Sequence, residues 1–221
     1  MILVLAESSI EPVPRELWSH PAVLADARRR GKKPGEMLLD RARHHPAMWI
    51  LPQASRRGRP DIIHQSLLAF QYSPLARSGM GRAYVHTAGD RVIKIRPDAR
   101  LPKNYNNFLS LAEQLYSAGR VPPRGDPLME VERSTLSQLL ERLGGRWVAM
   151  HERGERKPLW ELGQLVKDAV VVVGGFPHGD FENQWVLREA EGVYRIGEGV
   201  LDAPQVVCRL VTAAEAALGL V

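Results

Sequence analysis

Cysteine is almost absent from this 221-residue sequence, and its scarcity excludes two kinds of protein. A single residue, Cys208, can form no internal disulfide and cannot build a cysteine-based zinc site. The seven histidines are scattered, and no two of them stand at the helical spacing of a metal-ligand pair. We therefore predict a protein without a disulfide framework and without a bound metal.

Long apolar runs are missing as well. None approaches the roughly 20 residues that are needed to cross a bilayer. The opening stretch MILVLAESS lacks a basic segment before its apolar residues, so we interpret it as a first strand rather than a signal peptide. The hydrophobic share of 44% and the charged share of 25% are those of an ordinary globular protein. We expect a cytoplasmic protein that makes no contact with a membrane.

Positive charge is concentrated in the first half of the chain. Residues 1–110 carry 18 Lys and Arg against 9 Asp and Glu, whereas residues 111–221 carry 12 against 16. Any one basic cluster is compatible with a solvated loop, but three clusters followed by further basic residues favour a nucleic-acid partner. The clusters are RRRGKK (28–33), RAR (41–43) and SRRGRP (55–60).

Strand and helix patterns alternate along the chain, which predicts an α/β fold with a largely parallel sheet and helices on its faces. We predict a strand at 2–5, a hairpin over 82–95, and strands at 146–150, 169–173 and 192–199. Helical spacing occurs at 34–45, 60–70, 105–116, 136–143, 158–166 and 203–218. Ser134 is the predicted cap of the fourth of these helices, and 118–127 is the best candidate for a flexible connector.

Two predicted strands end in glycine-rich loops, VVVVGGFPHG (170–179) and YRIGEGVLDA (194–203). Ligands of open parallel sheets bind at the carboxyl ends of strands, and glycine lets a ligand reach the backbone directly. These loops could therefore hold a nucleoside, although the glycines could equally serve only tight turns. The pattern is not GxGxxG and no Walker motif is present, so a dinucleotide is disfavoured.

The RPD stretch at 59–61 indicates a different kind of contact. Asp61 can cap the helix that follows Pro60, and its carboxylate can also fix the guanidinium of Arg59. An arginine fixed in this way suits a phosphate or the edge of a base, whereas the simpler alternative is a helix start with an exposed arginine. His64 and His86 are better explained as packed or hydrogen-bonded histidines than as metal ligands.

Several of these stretches, in this order, resemble one family along nearly the whole chain. They are LAES (5–8), RGRPDIIHQSLL (57–68), YVHTAGDRVIKI (84–95), ARLPKNY (99–105) and VVGGFPHG (172–179). The family is that of the ribosome-biogenesis pseudouridine N1-methyltransferases of archaea and eukaryotes, which belong to the SPOUT class. The resemblance implies a single domain over 1–221, with a basic RNA-binding extension within about 26–110 and a cofactor-binding trefoil knot within about 146–221.

The resemblance also implies an activity and partners. It implies an enzyme that uses S-adenosylmethionine to methylate N1 of one pseudouridine in a hairpin loop of small-subunit rRNA. A homodimer and the pre-ribosomal small subunit are the implied assemblies. One alternative is a non-catalytic rRNA-binding assembly factor that keeps the fold, and another is a methyltransferase of the same fold that acts on a different base or a different RNA.

Site residues follow from the resemblance position by position. The implied cofactor residues are Gly174, Gly179, Asp180, Phe181, Glu198, Gly199, Val200, Leu201, Asp202 and Ala203, with Met150 on a third side. The implied RNA-contacting residues are Arg59, Arg100, Lys103 and Asn107, with Asp61 orienting Arg59. Relatives usually carry arginine where this chain has Lys103 and Asn107, and Asn-Tyr or Asn-Lys where it has Glu198-Gly199. No residue is assigned as the catalytic base.

Overall fold

A computed structural model describes residues 1–221 and is built around one eight-stranded sheet. The strands are β1 (Ile2–Ser8), β2 (Arg82–Thr87), β3 (Arg91–Ile95), β4 (Arg120–Val121), β5 (Met129–Arg133), β6 (Val148–Arg156), β7 (Val170–Gly174) and β8 (Gly192–Arg195). Their order across the sheet is β4-β5-β3-β2-β1-β7-β6-β8. The run from β2 to β8 is parallel, and the three pairings between β2 and β4 are antiparallel.

Helices cover both faces of this sheet. They are α1 (Pro21–Arg30), α2 (Arg41–Met48), α3 (Pro60–Gln71), α4 (Pro74–Arg77), α5 (Tyr105–Ala118), α6 (Leu136–Arg142), α7 (Leu159–Val166), α8 (Trp185–Arg188) and α9 (Ala203–Leu218). Side chains alternate along β1, so Leu3 and Leu5 pack in the larger core with α3, α5, α7 and α9. Val4 and Ala6 face the smaller core with α6 and α8. The predicted α/β fold with a mostly parallel sheet is confirmed, whereas the trefoil knot and the single-domain division stay predictions.

The first part of the basic extension and the residues just before it share a small core. Nine buried residues, among them Val23 of α1 and Met48 of α2, form a cluster separate from the two cores on the sheet.

No helix in the structure combines the length and the apolar character that a bilayer crossing requires.

Most predicted elements are confirmed, and the exceptions have local causes. The helix predicted at 34–45 is confirmed only from residue 41: a 3₁₀ turn at Pro34–Glu36 is followed by an extended segment whose side chains, Met37 to Leu39, are all buried. Helix α2 begins only after Asp40, which accepts a hydrogen bond from the backbone N–H of Ala42 at 2.9 Å.

Two further sequence interpretations need correction. Helix α6 is capped by Thr135 rather than Ser134, since Thr135 and Gln138 exchange side chain-to-backbone hydrogen bonds in a capping box. The predicted connector 118–127 is partly ordered as strand, because Arg120 and Val121 form β4 and pair with β5.

Candidate functional site

One cavity of about 590 Å³ lies between the middle of β6, the end of β7, the start of α3 and the loop after β8. Most of the cofactor residues implied by the sequence line it: Gly174, Gly179, Phe181, Gly199, Val200, Leu201, Asp202 and Ala203. Arg59 and Asp61, from the start of α3, line the same cavity, and so does Met150 of β6. The fold therefore brings the two groups of predicted residues, more than 100 positions apart in the chain, to one place.

Two of the implied cofactor residues, Asp180 and Glu198, do not line this cavity. The Asp180 carboxylate accepts hydrogen bonds from His151 Nε2 at 3.0 Å and from the Phe181 N–H at 2.8 Å, and it pairs with Arg153. Burial opposes its charge, but these donors outweigh burial and hold the pKa of Asp180 below its usual value. The exposed Glu198 carboxylate pairs with Arg156 at 2.5 Å and with Arg195 at 3.3 Å. Both acids therefore brace the loops around the cavity.

The hydrogen bonds of His151 fix its tautomer. Its Nδ1 accepts from the backbone N–H of Arg153 at 3.2 Å, so the proton of the neutral ring stands on Nε2 and is donated to Asp180. Both ring nitrogens are thus already engaged, although the residue lines the cavity.

The glycines that end β7 have a packing role. A Cβ on Gly175 would stand 2.2 Å from Ser8 Oγ at the end of β1, so only glycine allows the two strand ends to lie this close. Gly199 is different, because the place of its Cβ has no heavy atom within 4 Å. The role of Gly175 is close packing, which neither alternative from the sequence describes, whereas Gly199 leaves its backbone accessible at the cavity wall, as ligand contact requires.

Arg59 and Asp61 form the two-point ion pair that the sequence predicts. Nε and NH2 of Arg59 donate to the two carboxylate oxygens of Asp61, both at 2.8 Å. This hydrogen bonding raises the pKa of Arg59 above its usual value, so the guanidinium stays charged. The helix-capping role predicted for Asp61 is wrong, because no side chain caps the first turn of α3 and both Asp61 oxygens are held by Arg59.

The other implied RNA-contacting residues lie outside the cavity. Arg100, Lys103 and Asn107 are exposed around the start of α5. The Lys103 ammonium lies 5.3 Å from the centre of the Tyr72 ring, and the backbone N–H of Asn107 donates to the capping oxygen of Asn104. They are thus open to solvent beside α3, and their contact with RNA stays a prediction.

Much of the positive charge in the first half is neutralised within the protein. Arg30 and Lys32 of the RRRGKK cluster bind the buried Glu113 of α5. Arg57 binds Glu11 through two hydrogen bonds of 2.7 and 2.6 Å. The count of 18 Lys and Arg in residues 1–110 therefore overstates the cationic surface that is free for a polyanion.

Some residues of the cavity carried no signal of their own in the sequence. Gln65 lines it from α3, and Ile196 lines it from the loop after β8. Gln65 stands four residues after Asp61, which places both on one helix face, so the helical spacing could have indicated it. Ile196 could not be found in this way, because its position depends on how the loop returns to the sheet. His64 and His86 are packed as expected, with His64 Nε2 2.7 Å from the Pro102 carbonyl oxygen.

Comparison with known proteins gives matches along the whole chain. The model of the family described as EMG1/NEP1 methyltransferase matches residues 3–215. Two relatives are named ribosomal RNA small subunit methyltransferase Nep1. The one from Pyrobaculum neutrophilum is 66% identical over 221 residues and covers 100% of both chains. The one from Thermococcus kodakarensis is 44% identical over 223 residues and covers 99% of each.

A solved structure agrees with this match. The crystal structure of Archaeoglobus fulgidus Nep1 bound to S-adenosylhomocysteine superposes with a TM-score of 0.85, at 37% identity and over 98% of each chain. The resemblance described from the sequence is thereby confirmed. Because the family model and the relatives match it nearly from end to end, this chain belongs to the EMG1/NEP1 methyltransferase family.

Proposed function

We propose that this protein is an S-adenosylmethionine-dependent methyltransferase that modifies N1 of a pseudouridine in a hairpin loop of small-subunit rRNA. The observation that carries the proposal is the single cavity lined both by the implied cofactor loops and by the Arg59–Asp61 pair. The methyltransferase names of the relatives and the S-adenosylhomocysteine bound to the Archaeoglobus protein support it.

The residues of the cavity fit such a cofactor. Apolar side chains of Met150, Ile196 and Leu201 offer a wall for an adenine ring, and the accessible backbone at Gly199 offers hydrogen-bonding groups. The carboxylates of Asp61 and Asp202 line the same space and would favour a positively charged sulfonium. When bound, S-adenosylmethionine would supply an activated methyl group.

The chain's own residues bind and orient the RNA. Arg59, with its guanidinium fork fixed by Asp61, is suited to hold a phosphate at the cavity. A hairpin loop is the region of RNA where a base can be turned outward at the lowest cost, so the target base can enter beside the cofactor loops. N1 of pseudouridine carries a proton, which would pass to a base or to water as the new N–CH₃ bond forms. The S–CH₃ bond of the donor would break at the same time, with S-adenosylhomocysteine as the leaving group. Most of the rate enhancement would then come from the relative positioning of nucleophile and methyl group.

A pair of RNA hairpins tests this function. One hairpin contains pseudouridine in its loop and the other contains uridine, which has a carbon where pseudouridine presents N1. Mass spectrometry after incubation with S-adenosylmethionine should find a methyl group on the first hairpin only. Methylation of both, or of another base, would contradict the assigned target.

Calorimetry with S-adenosylhomocysteine separates the enzyme from a non-catalytic assembly factor. We expect binding in the micromolar range, since eight of the ten implied cofactor residues line the cavity. A protein that binds the hairpin, but neither binds S-adenosylhomocysteine nor transfers a methyl group, would instead be an rRNA-binding assembly factor.

We propose further that the protein forms a homodimer and acts on the pre-ribosomal small subunit in the cytoplasm. Exposed apolar side chains support self-association: Trp160 of α7 is 75% exposed, and Leu159 and Leu165 of the same helix are also exposed. Light scattering of the purified protein should give twice the monomer mass of 24.7 kDa.

A further inference from the structure

Arg56 joins the basic extension to the wall of the cavity. It ends the 3₁₀ turn Ala54–Arg56, and its side chain is only 15% exposed. One guanidinium nitrogen, NH1, donates to the backbone carbonyl oxygen of Asp180. The guanidinium carbon lies 4.1 Å from the centre of the Phe176 ring, within the range of a cation–π interaction. Arg56 Nε also lies 3.6 Å from the Glu182 carboxylate, so Arg56 holds the loop after β7 at three separate points.

Glu7 completes this arrangement from the end of β1. It is buried, and its backbone has a φ of 50°, which is uncommon for a residue other than glycine. Its Oε2 accepts from Arg56 NH2 at 3.0 Å and from the Glu182 N–H at 2.8 Å. Its Oε1 accepts from the N–H and the side-chain amide of Asn183, at 2.8 and 2.9 Å. Apart from Arg56, every donor to this carboxylate belongs to the loop after β7.

The part of the loop held in this way carries cavity side chains. Phe176 and Phe181 both line the cavity, and their rings meet edge to face with centres 5.4 Å apart. A shift of the guanidinium would therefore move Phe176 directly and Phe181 through it. None of the relevant contacts involves Arg59, although Arg59 stands only three residues further along the chain.

We propose that Arg56 is a positioning residue for the methyl donor. Held by Glu7, its guanidinium keeps the loop 176–181 in the shape that binds S-adenosylmethionine. This inference rests on the proposed function, because it assigns the donor to this cavity. It gives the segment 56–59 two separate roles, since Arg56 shapes the cofactor wall while Arg59 faces the RNA.

The neighbouring Arg57 provides a matched control. It is also largely buried, with 22% of its side chain exposed, and it also forms an ion pair, with Glu11. Its side chain makes no hydrogen bond to the loop after β7. Arg56→Ala removes the ion pairs with Glu7 and Glu182, and Arg57→Ala removes the ion pair with Glu11, but only the first variant releases the loop.

Titration calorimetry with S-adenosylhomocysteine is the test, on the full-length wild type, Arg56→Ala, Arg56→Lys and Arg57→Ala. We expect Arg56→Ala to bind about tenfold more weakly, as for the loss of a charge-assisted contact, and Arg57→Ala to bind like the wild type. Arg56→Lys keeps the charge without the planar fork and should recover part of the affinity. It also provides a folded comparison if the alanine variant is unstable.

The outcomes separate this inference from the proposed function. Equal affinities of the wild type and both Arg56 variants, or an equal loss in Arg56→Ala and Arg57→Ala, would overturn the positioning role while leaving the proposed function intact. No binding by the wild type itself would overturn the proposed function, and this inference with it.

Discussion

Glu113 of α5 and Arg30 of α1 form a buried two-point ion pair, with both N–O distances 2.7 Å. Glu113 also binds Lys32 and accepts a hydrogen bond from the backbone N–H of Leu38 at 3.0 Å. Burial alone would raise the pKa of Glu113, but the hydrogen bonds from Arg30 and Lys32 lower it below its usual value. One carboxylate thus attaches the small core of the extension to the main body of the fold.

Replacing Glu113 should therefore be costly. Glu113→Gln leaves the largely buried Arg30 with only the Asp26 carboxylate, at 4.0 Å, as a negative partner, so we expect the free energy of unfolding to fall by about 3–5 kcal/mol. Chemical denaturation measures the change. Gln114→Ala, an exposed change at the next position, should stay within about 0.5 kcal/mol of the wild type. A loss below about 1 kcal/mol in Glu113→Gln would contradict the role of this ion pair.

Arg59→Ala should separate RNA binding from cofactor binding. Removing the fixed guanidinium should weaken binding of the rRNA hairpin about tenfold and make it less dependent on salt. The affinity for S-adenosylhomocysteine should change little, since the cofactor loops are held by other residues. Fluorescence anisotropy and calorimetry measure the two affinities. Equal losses in both would argue against this division of roles.

Arg124→Ala is the control for that experiment. Arg124 is an exposed arginine in the turn after β4, at the opposite edge of the sheet from β8. Arg124→Ala removes the same formal charge as Arg59→Ala. An unchanged affinity of Arg124→Ala for the hairpin would show that the position of the arginine, rather than the net charge, determines binding.

Gly163 should not tolerate even a methyl group. A Cβ at this position in α7 would stand 2.2 Å from the carbonyl oxygen of Ala213 in α9. Helix propensity alone predicts that Gly163→Ala stabilises a helix by about 1 kcal/mol. Overpacking against a backbone should reverse the sign and cost about 1–3 kcal/mol, measured by denaturation. Gln164→Ala, on the exposed face of the same helix, should be close to neutral, and a stabilised Gly163→Ala would contradict the close crossing of the two helices.

Stability should fall in mild acid because of two buried histidines. His44 and His86 both have a pKa below the usual value, since burial disfavours their charged forms. His44 Nδ1 accepts from the Asp40 N–H at 3.1 Å, and His86 Nδ1 accepts from the Glu7 N–H at 3.3 Å, so both rings are neutral in the fold. Below about pH 6.5 the unfolded chain takes up protons that the folded protein does not, so each site lowers stability by up to about 1.4 kcal/mol per pH unit.

Denaturant titrations at pH 7.5 and pH 5.5 measure this effect. The wild type should lose stability between the two, and His44→Gln should lose less. His45→Gln, an exposed change at the adjacent position of α2, should keep the pH dependence of the wild type. A pH dependence that is identical in His44→Gln and the wild type would exclude His44 as a source.

The sequence predicts the sheet well because its strands carry strong local signals. The valine run of β7 and the alternating pattern of β2 and β3 need no knowledge of the rest of the fold. The extension was predicted poorly, since Met37 to Leu39 are buried as an extended segment by partners that are distant in the chain. One of these partners is Glu11, whose carbonyl oxygen accepts from the Leu39 N–H at 2.9 Å.

Local contacts of the candidate site can be predicted from the sequence, but the long-range contacts that hold its loops cannot. The Arg59–Asp61 pair spans two residues and was visible in the sequence, whereas Glu7 and Asn183 are 176 residues apart. A charge count treats buried arginines such as Arg30 as surface, because pairing depends on the tertiary fold. The positions of Asp180 and Glu198 outside the cavity also depend on the tertiary fold, because both carboxylates form ion pairs with arginines of β6.

The central place of β1 has a consequence for how the protein is made. Leu3 pairs with Ala83 of β2 on one side and with Val171 of β7 on the other. During synthesis β1 therefore leaves the ribosome long before β7, its second neighbour, has been made. One edge of β1 stays unpaired until about three quarters of the polypeptide has emerged. Such long-range closure slows folding and leaves a strand edge to which other nascent chains could add.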